Sequence, residues 1–351
     1  MKVNSNCFFL ARPPALIYWC YETHEQIELT GPYLERLVEL ISGTATYSAK
    51  NAIDREFADR GILCQSDEQA WGWDELSKIF HIGTKNIPYS NVPETAESWA
   101  TAYLEHCNEV LSSSPPIENY EVQSQNQENI ALPPICPQPL SKVLLKRKTS
   151  RNFQKKCVPL TEISNLLHYS LGFLEERMLQ ADTGLPENLC HRRSSPSGGG
   201  LNATEGYLYV KNVDGLNAGF YYYNPLNHTL TVTSAESKST LGELLSGQHF
   251  SDDLAFGIFL TSRLDKLWWK YEHSRAYRMA FVEIGHISQT FQLLATETGL
   301  STWLTGALDE NKIEPLLNIK NPGEQVLFFI GAGTSTGGHI PDALDQLIKR
   351  P

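Results

Sequence analysis

Apolar positions along the chain switch between a period of two and a period of three to four, and the switches mark its elements. Ala15–Tyr21 and Gln26–Leu29 are short β-type runs separated by the polar Glu22-Thr23-His24-Glu25, which predicts a hairpin. Thr30 stands at an N-cap position before Tyr33, Leu34, Leu37, Leu40 and Ile41 at helical spacing, and Gly43 stops that helix. A second helix is expected from Ser48 to about Asp59, presenting Ala52, Ile53 and Phe57 and closing at Gly61. Between Ala70 and Asn86, Trp71, Trp73, Leu76, Ile79 and Phe80 form an aromatic cluster with His81 at its end, read as packing with no chemistry assigned. A short helix over Glu97–Val110 follows.

The stretch 112–138 is rich in Ser, Pro, Asn and Gln, lacks apolar periodicity and reads as a linker. It divides a unit at 1–111 from a larger domain at 139–351. In that domain the expected elements are a helix carrying Leu144 and Leu145, and a helix N-capped by Thr161 with Ile163, Leu166 and Leu167. An alternating strand Thr204–Val210 comes next, then a strand pair Gly219–Tyr223 and His228–Val232 around the Asn224-Pro225 turn. The apolar run Leu254–Thr261 predicts a buried strand. From Arg275 to a stop at Gly299, Met279, Val282, Ile287, Phe291 and Leu294 recur at helical spacing. Phe281, Ile284 and Leu293 make that helix apolar nearly all round, which predicts burial between layers. Ser301–Ala307, a strand ending in a Gly turn, and Glu324–Ile330 flank a helix that follows Asp309 and runs to Leu317.

Composition narrows the function classes. The 351 residues suit about two domains, with 41% hydrophobic and 20% charged residues, ordinary for a folded soluble protein. A net charge of −11 argues against nucleic acid as the main partner. No apolar run approaches the roughly 18 residues that a membrane helix needs, and Arg12, Pro13 and Pro14 interrupt the N-terminal apolar residues where a signal peptide needs continuity. Seven widely spaced cysteines without a CxxC fit reduced thiols better than a disulfide or zinc framework. Together these features predict a cytoplasmic location.

Three stretches carry candidate chemistry. Lys146-Arg147-Lys148-Thr149-Ser150-Arg151-Asn152-Phe153 sets cations among hydroxyls, a donor set suited to a phosphate. Pro196-Ser197-Gly198-Gly199-Gly200-Leu201-Asn202 lets backbone approach a flat ligand closely, and because a strand follows it, it is not a dinucleotide GxGxxG. Lys270-Tyr271 puts a cation beside a phenol just ahead of the long helix.

These three stretches, in this order, resemble the SagB-type group of flavin-dependent oxidoreductases with the nitroreductase fold, which includes azoline dehydrogenases of peptide natural-product pathways. KRKTSR resembles the family's "RRSxRxF" element, RRSSPSGGGLNATEGY its "RxxPSaGaLxPtE.Y" motif, and KYEHSRAYRMAFVEIGHISQ its Lys-Tyr pair and "RAYR…E.GH..Q" helix. The resemblance implies an α+β chain whose catalytic domain is a three-layer α/β/α sandwich binding FMN between the subunits of a homodimer. It implies that Arg147, Lys148, Thr149 and Arg151 hold the flavin phosphate and ribityl chain. Pro196, Ser197, Gly198, Gly199, Gly200 and Asn202 would meet the ring, Gly306 would pass beside it, and Lys270 and Tyr271 would be catalytic. The family's C-terminal Arg near the phosphate has no counterpart in Gly331–Gly338, so the third phosphate contact is unassigned. Residues 15–63 resemble the winged-helix-like peptide-recognition modules attached to peptide-modifying enzymes. The implied substrate is a ribosomally made precursor peptide, with a cyclodehydratase as a further partner. The alternative is an NAD(P)H-dependent nitroreductase or quinone reductase, or another peptide-modifying flavin enzyme.

Overall fold

The computed structural model describes residues 1–65, 70–87, 91–112, 130–179, 184 and 186–349. Residues 113–129, most of the expected linker, lie outside these; residues 130–138 are exposed and without regular structure. By internal contacts the chain parts into Met1–Ser90 with Asp265–Tyr277, and Asn91–Leu264 with Arg278–Pro351.

The first unit is built on a three-stranded antiparallel sheet of β2 (Cys7–Arg12), β3 (Ala15–Cys20) and β4 (Gln26–Leu29). β1 (Lys2–Val3) pairs separately with β5 (Leu63–Cys64). Helix α1 (Gly31–Ser42) ends where Gly43 adopts φ +74°, a left-handed cap that suits glycine. Helix α2 (Ala52–Asp59) starts later than expected, because the Asn51 side chain caps it through the Ile53 and Asp54 amides. Tyr18, Leu37, Phe57, Ile62 and Leu63 form the core. Beside it the fully buried Asp54 takes two hydrogen bonds from Arg36, at 2.7 and 2.8 Å, which hold its carboxyl below the usual carboxylate range. α3 (Glu75–Gly83) carries Leu76, Ile79 and Phe80 of the aromatic cluster, and Trp71 and Trp73 lie just before it.

The second unit is a six-stranded antiparallel sheet between two helical layers, ordered β10-β9-β7-β11-β13-β12. Its strands are β7 (Thr204–Val210), β9 (Gly219–Asn224), β10 (Thr229–Ser234), β11 (Phe256–Arg263), β12 (Ser301–Thr305) and β13 (Glu324–Gly333). Short β6 (Val158–Pro159) and β8 (Val213–Asp214) pair beside it. Further helices are α4 (Ala96–Leu111), α5 (Ser141–Lys146), α6 (Leu160–Leu171), α7 (Leu241–Leu244), α8 (Leu264–Lys270), α9 (Tyr277–Glu297), α10 (Glu310–Leu316) and α11 (Asp342–Ile348). Alternation along the strands sends Leu208, Ile258, Leu260 and Ile330 to one face, under Ile163, Leu166 and Leu167 of α6 and Ile284, Ile287 and Phe291 of α9. Tyr207, Phe259, Val326 and Phe329 meet α7 and α10 on the other. The expected three layers are present.

Several local expectations are corrected. Pro159, not Thr161, precedes α6, and no side chain caps that helix. The α4 helix packs on α11 and so groups with the second unit. The long helix is not buried all round: Met279, Phe281 and Val282 are 39%, 44% and 45% exposed, so one apolar face is only partly buried in the single chain.

Candidate functional site

The cationic run is tacked to the edge of the sheet. Thr149 makes a parallel bridge to Thr302 of β12, and the Ser150 amide donates to the Thr302 carbonyl at 3.0 Å. Segment 334–339, which sequence could not place, folds against it. Ser150 Oγ lies 2.9 Å from Ser335 Oγ, and Asn152 Oδ1 accepts from Ser335 Oγ at 2.8 Å and from the Gly338 amide at 3.0 Å. The charges are held by neutral oxygens. Lys148 Nζ donates to the Gly337 carbonyl at 2.9 Å, Arg151 Nη1 to the His339 carbonyl at 3.0 Å, and Arg147 Nη1 to Gln292 Oε1 at 3.3 Å. Positive charge oriented but not neutralised by these partners fits a phosphate.

The glycine loop lies along α9. Gly199 and Gly200 have φ +62° and +69°, and Asn202 +48°, so the turn depends on residues tolerant of the left-handed region. Ser197 Oγ accepts from the Asn202 amide at 2.8 Å and closes the loop. Ser195 Oγ meets Thr290 Oγ1 at 3.0 Å, and a Cβ built on Gly198 would touch Met279. A cavity of about 210 Å³ opens there, lined by Arg177, Arg192, Arg193, Ser195, Pro196, Ser197, Gly200 and Asn202. Loop and cationic run thus abut the same helix, but on opposite flanks. Thr290 and Gln292, their respective anchors, are two residues and roughly 200° apart round the helix. Gly306 follows β12 and is exposed.

Sequence reasoning missed the residues that fix these elements. Buried Glu283 of α9 accepts the Thr204 amide at 2.9 Å and lies 3.9 Å from Arg193 Nη1, while Arg193 donates to the Thr204 carbonyl at 2.7 Å. A buried charge pair with both members hydrogen-bonded to the start of β7 thus ties the loop to helix and sheet. Gln292 Oε1 also accepts from Thr302 Oγ1 at 3.3 Å, joining α9 to β12. The available signal was Glu283, which stands in the quoted helix motif without a role read from it, and Gln292 between the apolar Phe291 and Leu293.

Lys270 and Tyr271 belong to the first unit, at the end of α8 and just beyond it. Lys270 is exposed, with Nζ 6.0 Å from the centroid of the Tyr271 ring. Trp268 and Trp269 do not bury Lys270 in the single chain. Trp269 is 64% exposed, and Trp268 packs edge-on against Trp71 and Trp73 instead.

The class so defined is a three-layer α/β/α protein whose long helix is flanked by a cationic run and a glycine loop. The chain belongs to the nitroreductase family, whose pattern matches residues 144–334, just over half its length. The trifolitoxin-processing protein TfxB of Rhizobium leguminosarum bv. trifolii is 26% identical over 277 residues, 76% of this chain and 70% of that protein. The microcin B17-processing protein McbC of Escherichia coli is 27% identical over 179 residues, 49% of this chain and 65% of that protein. Among solved structures, the E. coli microcin synthetase McbBCD complex with truncated pro-MccB17 bound is 22% identical. It covers 75% of this chain and 92% of that chain, with a TM-score of 0.48.

Proposed function

We propose that this chain is an FMN-dependent dehydrogenase that oxidises azoline rings in a ribosomally made precursor peptide to azoles, working as a homodimer alongside a cyclodehydratase. The observation that carries the peptide reading is the reach of the likeness to TfxB. Its 277 aligned residues extend well past the nitroreductase match at 144–334, so the resemblance to a peptide-processing protein takes in chain that a small-molecule reductase does not need. The first unit, with its three-stranded sheet, is read as the peptide-recognition module, in which a leader adds as a strand to a sheet edge.

The helix geometry supports a homodimer. Arg147 and the glycine loop flank opposite sides of α9, and the exposed face between them carries Met279 and Val282. A second copy covering that face would bring one chain's cationic run towards the other's glycine loop.

FMN, when bound, supplies the hydride acceptor that side chains lack. Arg147, Lys148, Thr149 and Arg151 would hold its phosphate and ribityl chain, and Pro196 to Asn202 its ring. The azoline ring loses hydrogen from two adjacent carbons, one as hydride and one as a proton. Lys270 takes the proton on Nζ, which requires an amine kept neutral by a dry neighbourhood. Because Lys270 is exposed in the single chain, the bound peptide or the partner subunit must complete that neighbourhood. Tyr271 orients the ring or relays the proton. Anaerobic mixing tests the reading: cyclised precursor peptide should bleach the visible flavin absorbance of the holoenzyme, and NADPH alone should not. Rapid bleaching by NADPH and none by the peptide would favour the small-molecule reductase.

A further inference from the structure

The segment that carries the Lys-Tyr pair is fastened at every third residue to the aromatic stretch around α3. Trp268 takes Trp71 and Trp73 edge-on, with ring centroids 5.1 and 5.8 Å away. A Cβ on Gly72 would lie 2.2 Å from Trp268 Cγ, so at that position only glycine lets the backbone sit flat on the indole. Three residues on, Trp73 Nε1 donates to the Tyr271 carbonyl at 2.8 Å, across 198 positions of sequence. Ser274 then hydrogen-bonds Asp74, the residue that caps α3 through the Ser77 amide, and this bond lowers the Asp74 pKa. Finally His81 Nδ1 meets the Tyr277 hydroxyl at 2.8 Å, with Phe80 edge-on to the same ring at 5.5 Å. The fixtures stand in chain order on both sides: 71–73 against 268, 73 against 271, 74 against 274 and 81 against 277.

We infer that residues 71–81 are a positioning element for the proposed oxidation, with Trp73 as its decisive member. This rests on the reading of Lys270 and Tyr271 as the reacting pair. Lys270 is the last residue of α8 and Tyr271 the first beyond it, its amide still donating to the Leu267 carbonyl at 2.9 Å. A backbone carbonyl gripped by an indole N–H fixes the plane of the Tyr271–Glu272 peptide, and with it the direction in which the Tyr271 side chain leaves the chain beside Lys270. Trp73 touches no substrate in this account; it acts through Tyr271. The first unit therefore contributes to turnover itself, beyond any grip on a leader peptide.

The test uses the full-length holoenzyme and the variant Trp73→Phe, which deletes the N–H and keeps an aromatic ring on Trp268. Misplacing a reacting group by about 1 Å costs up to roughly 100-fold in rate. The expected result is a kcat lowered about tenfold or more, with unchanged KM for the peptide, unchanged flavin content, and a larger deuterium isotope effect from substrate labelled at the ring carbon that yields hydride. In the absence of peptide, amide hydrogen exchange over 265–277 should speed up while that of α9 beyond its first turn stays as in the wild type. Unchanged exchange in 265–277 together with wild-type kcat overturns the inference, and so does an equal loss of flavin content and activity, which marks a merely structural residue. Lys270→Ala and Tyr271→Phe, run in parallel, keep the two failures apart. Wild-type turnover in those two variants removes the reacting pair, whereas their loss of turnover with an indifferent Trp73→Phe removes only the positioning element.

Discussion

Acid should loosen the first unit through one imidazole. His81 is 4% exposed, wedged between Trp71 at 4.9 Å and the Tyr277 ring at 5.5 Å. Burial, with a smaller contribution from Lys85, lowers its pKa from 6.5 to about 3. The folded value lies below the unfolded one, so the unfolded chain binds a proton that the native state refuses, and stability falls as pH drops below 6.5. One pKa unit is worth about 1.4 kcal/mol. Between pH 7 and pH 5 this group alone should remove about 2 kcal/mol, and the loss would level off at about 5 kcal/mol once the native state also protonates. The assay is urea unfolding followed by tryptophan fluorescence at several pH values, in the wild type and in His81→Gln, which keeps a polar partner for Tyr277 and cannot titrate. Asp54, whose pKa is also lowered, adds its own acid lability at lower pH, but equally in both proteins. The wild-type curve should fall below the variant's by that amount as pH drops from 7 to 5. Parallel curves would refute the reasoning and show that His81 protonates in place.

Further outcomes follow from the same contacts. Arg147→Ala should weaken FMN binding by roughly tenfold, the worth of one charge-assisted hydrogen bond, read by fluorescence titration of the apoprotein; unaltered affinity would take Arg147 out of the phosphate site. Val282→Arg places charge on the half-exposed face of α9 and should shift the protein from dimer to monomer in sedimentation, with loss of flavin, whereas a flavin-loaded monomer would contradict a shared site. Arg36→Leu strands the buried Asp54 carboxylate and should cost about 3 kcal/mol of stability, measured by denaturant midpoint, with little effect on the flavin affinity of folded protein.

Much of this architecture was legible because period and punctuation agree. The hairpin of β3 and β4, the stop at Gly43, the strand after the glycine loop and the long helix ending at Gly299 follow from local pattern. β2 was not read, because Pro13 and Pro14 look like interruptions of an apolar run. They are instead the turn that folds Arg12 back beside Ala15. The half-exposed face of α9 was read as core because periodicity records apolar side chains and not what covers them; Met279 and Val282 suit a subunit interface as well as an interior. The fastening of 265–277 to the aromatic stretch was out of reach for another reason. Trp73 and Tyr271 are 198 positions apart, and a hydrogen bond to a backbone carbonyl leaves no trace in the identity of the accepting residue. At the candidate site, cations among hydroxyls and glycines before a strand were legible as chemistry, but their placement on opposite flanks of one helix was not.

The most direct measurement is mass spectrometry of a cyclised precursor peptide after incubation with FMN-loaded protein. The account predicts the loss of two hydrogens for each azoline ring, absent with Lys270→Ala protein that retains its flavin. An unchanged peptide mass with wild-type protein, or the same loss with the Lys270→Ala variant, would contradict it.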